Sequence, residues 1–252
     1  MSGHSHWAGI KHKKAAVDAK RGKLWSKLAR GIIVATKTGG GDPDHNIALR
    51  YAIDKAKDAN MPKDTIDKAI KKGAGDLEGV SYEEVLYEGY GNNGVAIMCE
   101  ALTDNRNRTA SELRKIFDSR GGSLGSGGCV AWIFTKKGLL VVDAAETDEE
   151  SLMEIALEAG ADDFERIDDT YEITCSVENF ETIKKTLREK EIPIRLAEFS
   201  QIPSNTVAID DEQGARKILA MMETLEDQDD VQNVFANFDI PEEIMKKLET
   251  DT

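Results

Sequence analysis

The sequence predicts an α+β protein: an N-terminal three-helix domain followed by two α/β domains, one ferredoxin-like (β-α-β-β-α-β) and inserted into the other. Three observations carry this reading. Apolar residues recur at helical spacing through residues 11–75, and from Tyr82 strand-like runs alternate with amphipathic stretches. The first α/β block also lacks a helix and a closing strand, and the stretch after Pro203 supplies both. The expected division is 1–78, then 79–134 plus 204–241, with 135–203 inserted and 242–252 as a C-terminal tail.

In the first helix, about Lys14 to Thr38, Leu24, Leu28, Ile32 and Ala35 make an apolar stripe, with a break near Gly22 where glycine weakens the helix. Thr38-Gly39-Gly40-Gly41 ends it, and Asp42-Pro43 supplies a cap and first turn for a second helix running to Ala59. Asn60 suits a left-handed cap, and a third helix starts at Pro62 and carries Ile66, Ala69 and Ile70 up to Gly73.

Strands are expected at Val85–Tyr90 and Val95–Leu102, joined by the turn residues Gly91-Asn92-Asn93-Gly94. A helix capped by Asp104 or Asn105 then spans Arg106–Ser119, and a glycine-rich loop at 121–128 leads into a strand at Val130–Phe134. The inserted block reads Leu139–Asp143, helix Asp148–Glu158, strands near Phe164–Ile167 and Tyr171–Cys175, helix Glu178–Lys190 and strand Arg195–Phe199. A short run Thr206–Ile209, a helix Asp211–Leu225 and a strand Val231–Phe238 complete the pattern.

Charge distribution carries the functional argument. The chain has 33 basic and 47 acidic residues, a net −14, which taken as uniform would repel phosphate. It is not uniform: residues 1–37 hold nine Lys/Arg against Asp18 alone, whereas residues 81–252 hold 17 basic against 38 acidic residues. Lys11, His12, Lys13 and Lys14, then Lys20, Arg21, Lys23, Lys27 and Arg30, place cations at a spacing suited to a phosphate backbone. Lys20, Lys23, Lys27, Arg30 and Lys37 share an arc about 100° wide, away from the apolar stripe. Trp7 could stack on a base or dock in a pocket, with Trp25 nearby. The competing reading is a solvated helix face whose lysines neutralise the acidic body. Six phosphate contacts would give a salt slope of about −5 on duplex DNA.

A second cationic group, Arg106, Arg108 and Lys115 with Arg114 and Arg120, lies on the Arg106–Ser119 helix. It is open to two readings: a second phosphate or partner contact, or a helix start whose arginines are satisfied by nearby carboxylates.

Catalytic signatures are missing. There is neither a Gly-x-Ser-x-Gly elbow nor a Walker-type loop, and no cofactor is implied. His4, His6, His12 and His45 all fall in the first 45 residues, away from any cysteine; His4, His6 and His12 could gather a metal, but they read as solvated or phosphate-facing histidines, and no metal site is expected. The 121–128 loop resembles an anion cradle, but no lysine or following helix completes it, and it reads better as a flexible or close-packed turn. Cys99, Cys129 and Cys175 have no paired spacing and read as core thiols of a reducing cytoplasm. Neither a signal core nor a membrane-length apolar run is present, and no membrane partner is expected.

Long motifs give the chain a resemblance. The run from Gly3-His4-Ser5-His6-Trp7 through Asp18-Ala19-Lys20-Arg21-Gly22-Lys23 is similar to the opening signature of the YebC/PmpR family. So are Gly39-Gly40-Gly41-Asp42-Pro43-Asp44, Ala59-Asn60-Met61-Pro62-Lys63-Asp64, Tyr87-Glu88-Gly89-Tyr90-Gly91, Leu102 through Thr109, and Asp229 through Val234. The likeness is dense to about Phe134 and looser from 136 to 205. Departures are His6 where the family usually has Lys, Asn92-Asn93 where Pro-Gly is common, and Cys129 where Ser is usual.

This resemblance implies a three-domain, non-enzymatic cytoplasmic regulator that binds promoter DNA. It also carries an alternative, because family members are linked to translation. In that reading the protein meets ribosomal RNA on the large ribosomal subunit and relieves stalling at proline-rich sequences. With two residues before the family's opening, the bacterial-type form without a mitochondrial presequence is expected. A third reading, an enzyme using the cleft between the α/β domains, rests on no motif.

Overall fold

The computed structural model describes residues 18–75, 81–167 and 169–250. Among the described residues three helices come first: α1 (Asp18–Gly39), α2 (Ile47–Asp58) and α3 (Lys63–Ala74). Their shared core is Ile32, Leu49, Ile53, Ala56, Met61, Ile66 and Ala69, with Trp25 and Leu28 packed against it. Leu24 is exposed instead, because Trp25 takes the inward position and donates its indole N–H to the Ala59 carbonyl at 3.0 Å. The helix continues through Gly22 without a break.

Where α3 crosses α1, a Cβ on Gly73 would lie 2.5 Å from the Ile33 carbonyl oxygen and from Thr36 Cβ, so only glycine permits the approach. The cap of α2 is Asn46 rather than Asp42. Its Oδ1 accepts from Leu49 N, and its Nδ2 donates to the carbonyls of Ala35 and Gly40, both at 2.8 Å. One buried amide therefore starts α2 and ties down the end of α1. Asp42 instead closes a local turn, accepting from Asp44 N at 2.9 Å. Asn60 adopts φ 55° as expected, and α3 passes Gly73 to end at Gly75, φ 87°.

The first sheet contains β1 (Glu83–Tyr90), β2 (Ala96–Thr103), β3 (Ser123–Leu124) and β9 (Val231–Ala236), in the order β3-β1-β2-β9 and antiparallel throughout. Helix α4 (Arg106–Ser119), with Asn105 as cap, and helix α7 (Glu212–Glu226) cover one face. Leu113, Phe117, Ile218 and Met222 there meet Ile97, Cys99 and Val234. The expected strand at Val130–Phe134 is not formed: the short β3 pairs with β1, and Ala131–Ile133 makes a single 3-10 turn. The expected tail also differs. Residues Glu242–Thr250 form α8, which inserts Ile244, Met245 and Leu248 into the same core.

The inserted sheet holds β4 (Phe134–Asp143), β5 (Asp163–Ile167), β6 (Thr170–Cys175) and β7 (Leu196–Pro203), in the order β5-β6-β4-β7 and antiparallel. With α5 (Glu149–Glu158) and α6 (Phe180–Glu189) it makes the expected ferredoxin-like unit. Chain re-entry uses β8 (Val207–Ala208), which pairs in parallel with β10 (Phe238–Asp239). Buried Asn237 secures this return, since its Oδ1 accepts from Ala96 N at 2.7 Å.

Candidate nucleic-acid interface

Of the cations expected to meet phosphate, Lys11, His12, Lys13 and Lys14 lie outside the described residues. Lys20 and Arg21 fall within α1, but their side chains are outside the description. The rest of the stripe is engaged within the protein. Lys23, Lys27 and Arg30 are spaced four and three apart, on one side of α1. They meet the C-terminal end of α7, where helix carbonyls lack intrahelical partners and the dipole is negative. Lys27 Nζ donates to the Glu226 carbonyl, Lys23 Nζ to that of Asp227, and Arg30 Nη1 to that of Asp229. Lys23 also sits 3.2 Å from the Asp229 carboxylate. These contacts are those of the second sequence reading, in which the basic face neutralises part of the acidic body.

Buried Asp230 collects the remaining charge. Its Oδ1 accepts from Arg30 at 3.2 Å; its Oδ2 accepts from Arg108 and from the Thr109 hydroxyl, both at 2.7 Å. Burial alone would push this carboxyl up. The Arg108 and Thr109 hydrogen bonds, with the charges of Arg108 and Arg30, outweigh it and hold Asp230 below the usual carboxylate range. Arg108 is raised in return, chiefly by its hydrogen bonds to Asp230 and to Asp104 at 2.8 Å. In the second cluster, therefore, Arg108 is bound to carboxylates and Arg106 lies 3.8 Å from Glu83. Lys115 stands exposed on α4 without an ion pair among the described residues.

The glycine-rich loop is an anion cradle occupied by the chain's own side chain. Glu88 projects from β1 beneath it and accepts N–H bonds from Gly128, Val130 and Ala131 at 2.6, 2.8 and 2.7 Å. Burial opposes the charge, but the three backbone donors hold Glu88 below its ordinary value. Sequence reasoning passed over Glu88. The available signal was its position in β1, facing a glycine-rich loop with donors to satisfy.

A second seam joins the helical bundle to the inserted sheet. The Tyr51 hydroxyl accepts from Phe199 N at 3.1 Å, capping an N–H of edge strand β7. Lys55 Nζ meets Glu198 at 3.2 Å. Burial works against the Lys55 charge, yet Glu198 and Tyr51 raise its pKa overall.

Other chemistry is sparse among the described residues. His45 is exposed and lies 2.7 Å from Asp42. No group of three or more His, Cys, Asp or Glu there could hold a metal ion, and no described helix is long and apolar enough to cross a membrane. Burial pushes up the thiol pKa values of Cys99 and Cys175, the latter to about 11.

Residues 5–76 match the N-terminal domain of TACO1/YebC proteins, and residues 82–238 match the TACO1/YebC second and third domain. The chain belongs to the TACO1/YebC family. A TACO1/YebC relative from Natranaerobius thermophilus, named a probable transcriptional regulatory protein, is 55% identical over 98% of this chain and 99% of its own. Another from Aquifex aeolicus, with the same name, is 52% identical over 98% of this chain and all of its own. The crystal structure of a conserved hypothetical protein from Aquifex aeolicus superposes with a TM-score of 0.85 at 52% identity, covering 95% of this chain and 99% of that one. The three helices followed by two α/β sheets are thus the TACO1/YebC architecture.

Proposed function

We propose that this protein is a non-enzymatic, cytoplasmic regulator of gene expression that binds nucleic acid through its N-terminal cations. One observation carries the reading: Lys23, Lys27 and Arg30 clamp α1 to the end of α7, so the cations just upstream issue from a fixed helix. Lys11, His12, Lys13, Lys14, Lys20 and Arg21 then contact phosphates, with exposed Arg106 and Lys115 as a second contact, while Arg108 stays with Asp230 and Asp104. The naming of the relatives supports promoter DNA as the target. The naming of the relatives as probable transcriptional regulatory proteins likewise supports a non-enzymatic role. In this reading the chain divides at 1–78, 79–134 plus 204–241, and 135–203.

A specific feature favours RNA of the large ribosomal subunit as the second reading. Neither α2 nor α3 carries an Asn or Gln to read adenine, and Arg50 is the sole arginine on the two helices. Contact by phosphate and shape, which suits RNA, needs no such residues. The test is a salt titration of full-length protein, wild type against Lys11→Gln/Lys13→Gln/Lys14→Gln, on duplex DNA and on a ribosomal RNA fragment. Loss of three phosphate contacts lowers the slope by about 2.7 on duplex DNA. Equal slopes for the two proteins would remove the arm from the interface.

A further inference from the structure

We propose that the open cleft between α2 and α6 is a second nucleic-acid site, taking a phosphodiester segment between Arg50 and the Lys184–Arg188 face. The inference rests on the nucleic-acid reading above and adds a binding surface to it on the opposite seam of the helical bundle.

The cleft has a volume of about 520 Å³ and is lined by Arg50, Glu181, Lys184, Lys185, Arg188 and Glu189. Four cations against two carboxylates reverse the sign of the surrounding body, where acids outnumber bases 38 to 17 over residues 81–252. Glu189 lies 3.6 Å from Lys185 on the next turn of the helix, so this carboxylate is matched locally. Glu181 is the remaining carboxylate of the lining.

Lys184 is the decisive residue. It is only 8% exposed, yet it has no carboxylate or hydrogen-bond acceptor among the described residues; its ammonium lies 5.8 Å from the centre of the Phe180 ring. A lysine this little exposed with no anionic partner among the described residues gains from a ligand that supplies the missing charge. Lys184 is one of the residues that line the cleft. Arg50 and Arg188 are both exposed and neither is engaged by a carboxylate in the described structure. Their planar guanidinium groups suit bidentate contact with phosphate oxygens.

The walls are fixed. Tyr51, adjacent to Arg50, packs 5.2 Å from Phe199, which packs 4.6 Å from Phe180 at the start of α6. The Lys55–Glu198 pair also ties α2 to β7, the strand whose Phe199 packs on Phe180. The cations are therefore presented across the cleft before any ligand arrives, which limits the ordering cost of binding. Because the cleft is open, it admits a passing chain rather than enclosing a small molecule.

The experiment measures binding of full-length protein to a fluorescent single-stranded RNA oligonucleotide and to a duplex DNA of equal length, across salt concentration. Arg50→Glu/Arg188→Glu is expected to weaken binding at least tenfold at low salt and reduce the slope by about 1.4 on the RNA and about 1.8 on the duplex, two phosphate contacts in each case. Lys184→Met is expected to lower the slope by about one contact while leaving the thermal midpoint unchanged or higher. The exposed pair Lys63→Glu/Lys68→Glu, away from the cleft, serves as the charge-matched control. Should the reversed pair fail to fold, Arg50→Gln/Arg188→Gln gives the same comparison without repulsion. Wild-type slope and affinity in the cleft variants overturn the proposal. If those variants retain binding while Lys11→Gln/Lys13→Gln/Lys14→Gln loses it, this site fails and the arm stands. If wild type binds neither probe, both readings fall. Polyglutamate binding wild type as tightly as RNA, and weakened by the same variants, would overturn the ligand class and point to an acidic protein partner.

Discussion

Arg30 and Asp230 lie 200 residues apart in the chain and meet at 3.2 Å, joining α1 to the turn that opens β9. The carboxylate also receives Arg108 and Thr109 at the start of α4, so a single buried charge holds three elements. Removing a member of a buried pair leaves its partners uncompensated, at about 3–5 kcal/mol. Because Arg108 is 43% exposed and can be hydrated, the lower end applies. We expect Asp230→Ala to lose about 3 kcal/mol in urea unfolding, and a loss under 1 kcal/mol would show that the hub is not a stability centre.

Protonation of the same residue gives a pH dependence. The folded Asp230 pKa is depressed, so its contribution is fully present above its unfolded value of about 3.9 and is lost as pH falls through the lower folded value. Wild type should therefore lose stability below about pH 4, and Asp230→Asn should lose less over that interval. Parallel acid profiles for the two proteins would contradict the assignment.

Glu88 makes a local prediction. Replacing it with Gln keeps one acceptor but points an amide N–H₂ at backbone donors, leaving at least one of the Gly128, Val130 and Ala131 amides unsatisfied. A destabilisation of about 1–3 kcal/mol follows. Faster amide exchange should be confined to the 121–131 loop, and uniform acceleration across the chain would argue against a cradle.

Two glycines in the helical bundle should respond with opposite sign. Gly73→Ala places its methyl carbon 2.5 Å from backbone and side-chain atoms of α1 and should cost about 1–3 kcal/mol. Gly31→Ala meets nothing within 4 Å and should stabilise α1 by about 1 kcal/mol. Matching signs in thermal unfolding would refute the close approach of α3 to α1.

The clamp on α7 can be separated from phosphate contact. Neutralising Lys27 and Arg30 to Gln should cost about 3 kcal/mol, since Lys27 complements the last carbonyl of α7 and Arg30 is one of the cations paired with buried Asp230. Exchange at residues 226–231 should rise. The salt slope for nucleic acid should move less than it does on neutralising Lys13 and Lys14; a larger change would transfer the binding role to the clamp.

Helix and strand order was legible because each core stripe kept its own period. The Arg106–Ser119 helix has the expected limits, and the ferredoxin-like order followed from its βαββαβ alternation. What escaped depended on partners distant in sequence. Asn46 displaced Asp42 as a cap because its amide also reaches Ala35 and Gly40. Glu242–Thr250 reads as a tail until Ile244, Met245 and Leu248 find the core between α7 and β9. For the candidate interface, the basic stripe was visible, but the acceptors of Lys23, Lys27 and Arg30 were not. They are backbone carbonyls, which no residue type announces. Asp230 and Glu88 were present in quoted motifs, yet their roles come from tertiary placement.

The placement of the inserted sheet also bears on how the chain folds. Asn233 of β9 bonds Glu100 of β2 at a separation of 133 positions, a long closure for one hydrogen-bonded pair. Phe134 and Pro203, at the two ends of the insert, are themselves ladder partners. Once the insert has formed, about half of that separation is already bridged, which eases closure by about 0.6 kcal/mol. The entropic burden of carrying a whole unit between α4 and α7 is therefore small. Synthesis from the N-terminus completes the insert before β9 emerges, so the last strand arrives at a sheet whose distant ends have already been drawn together.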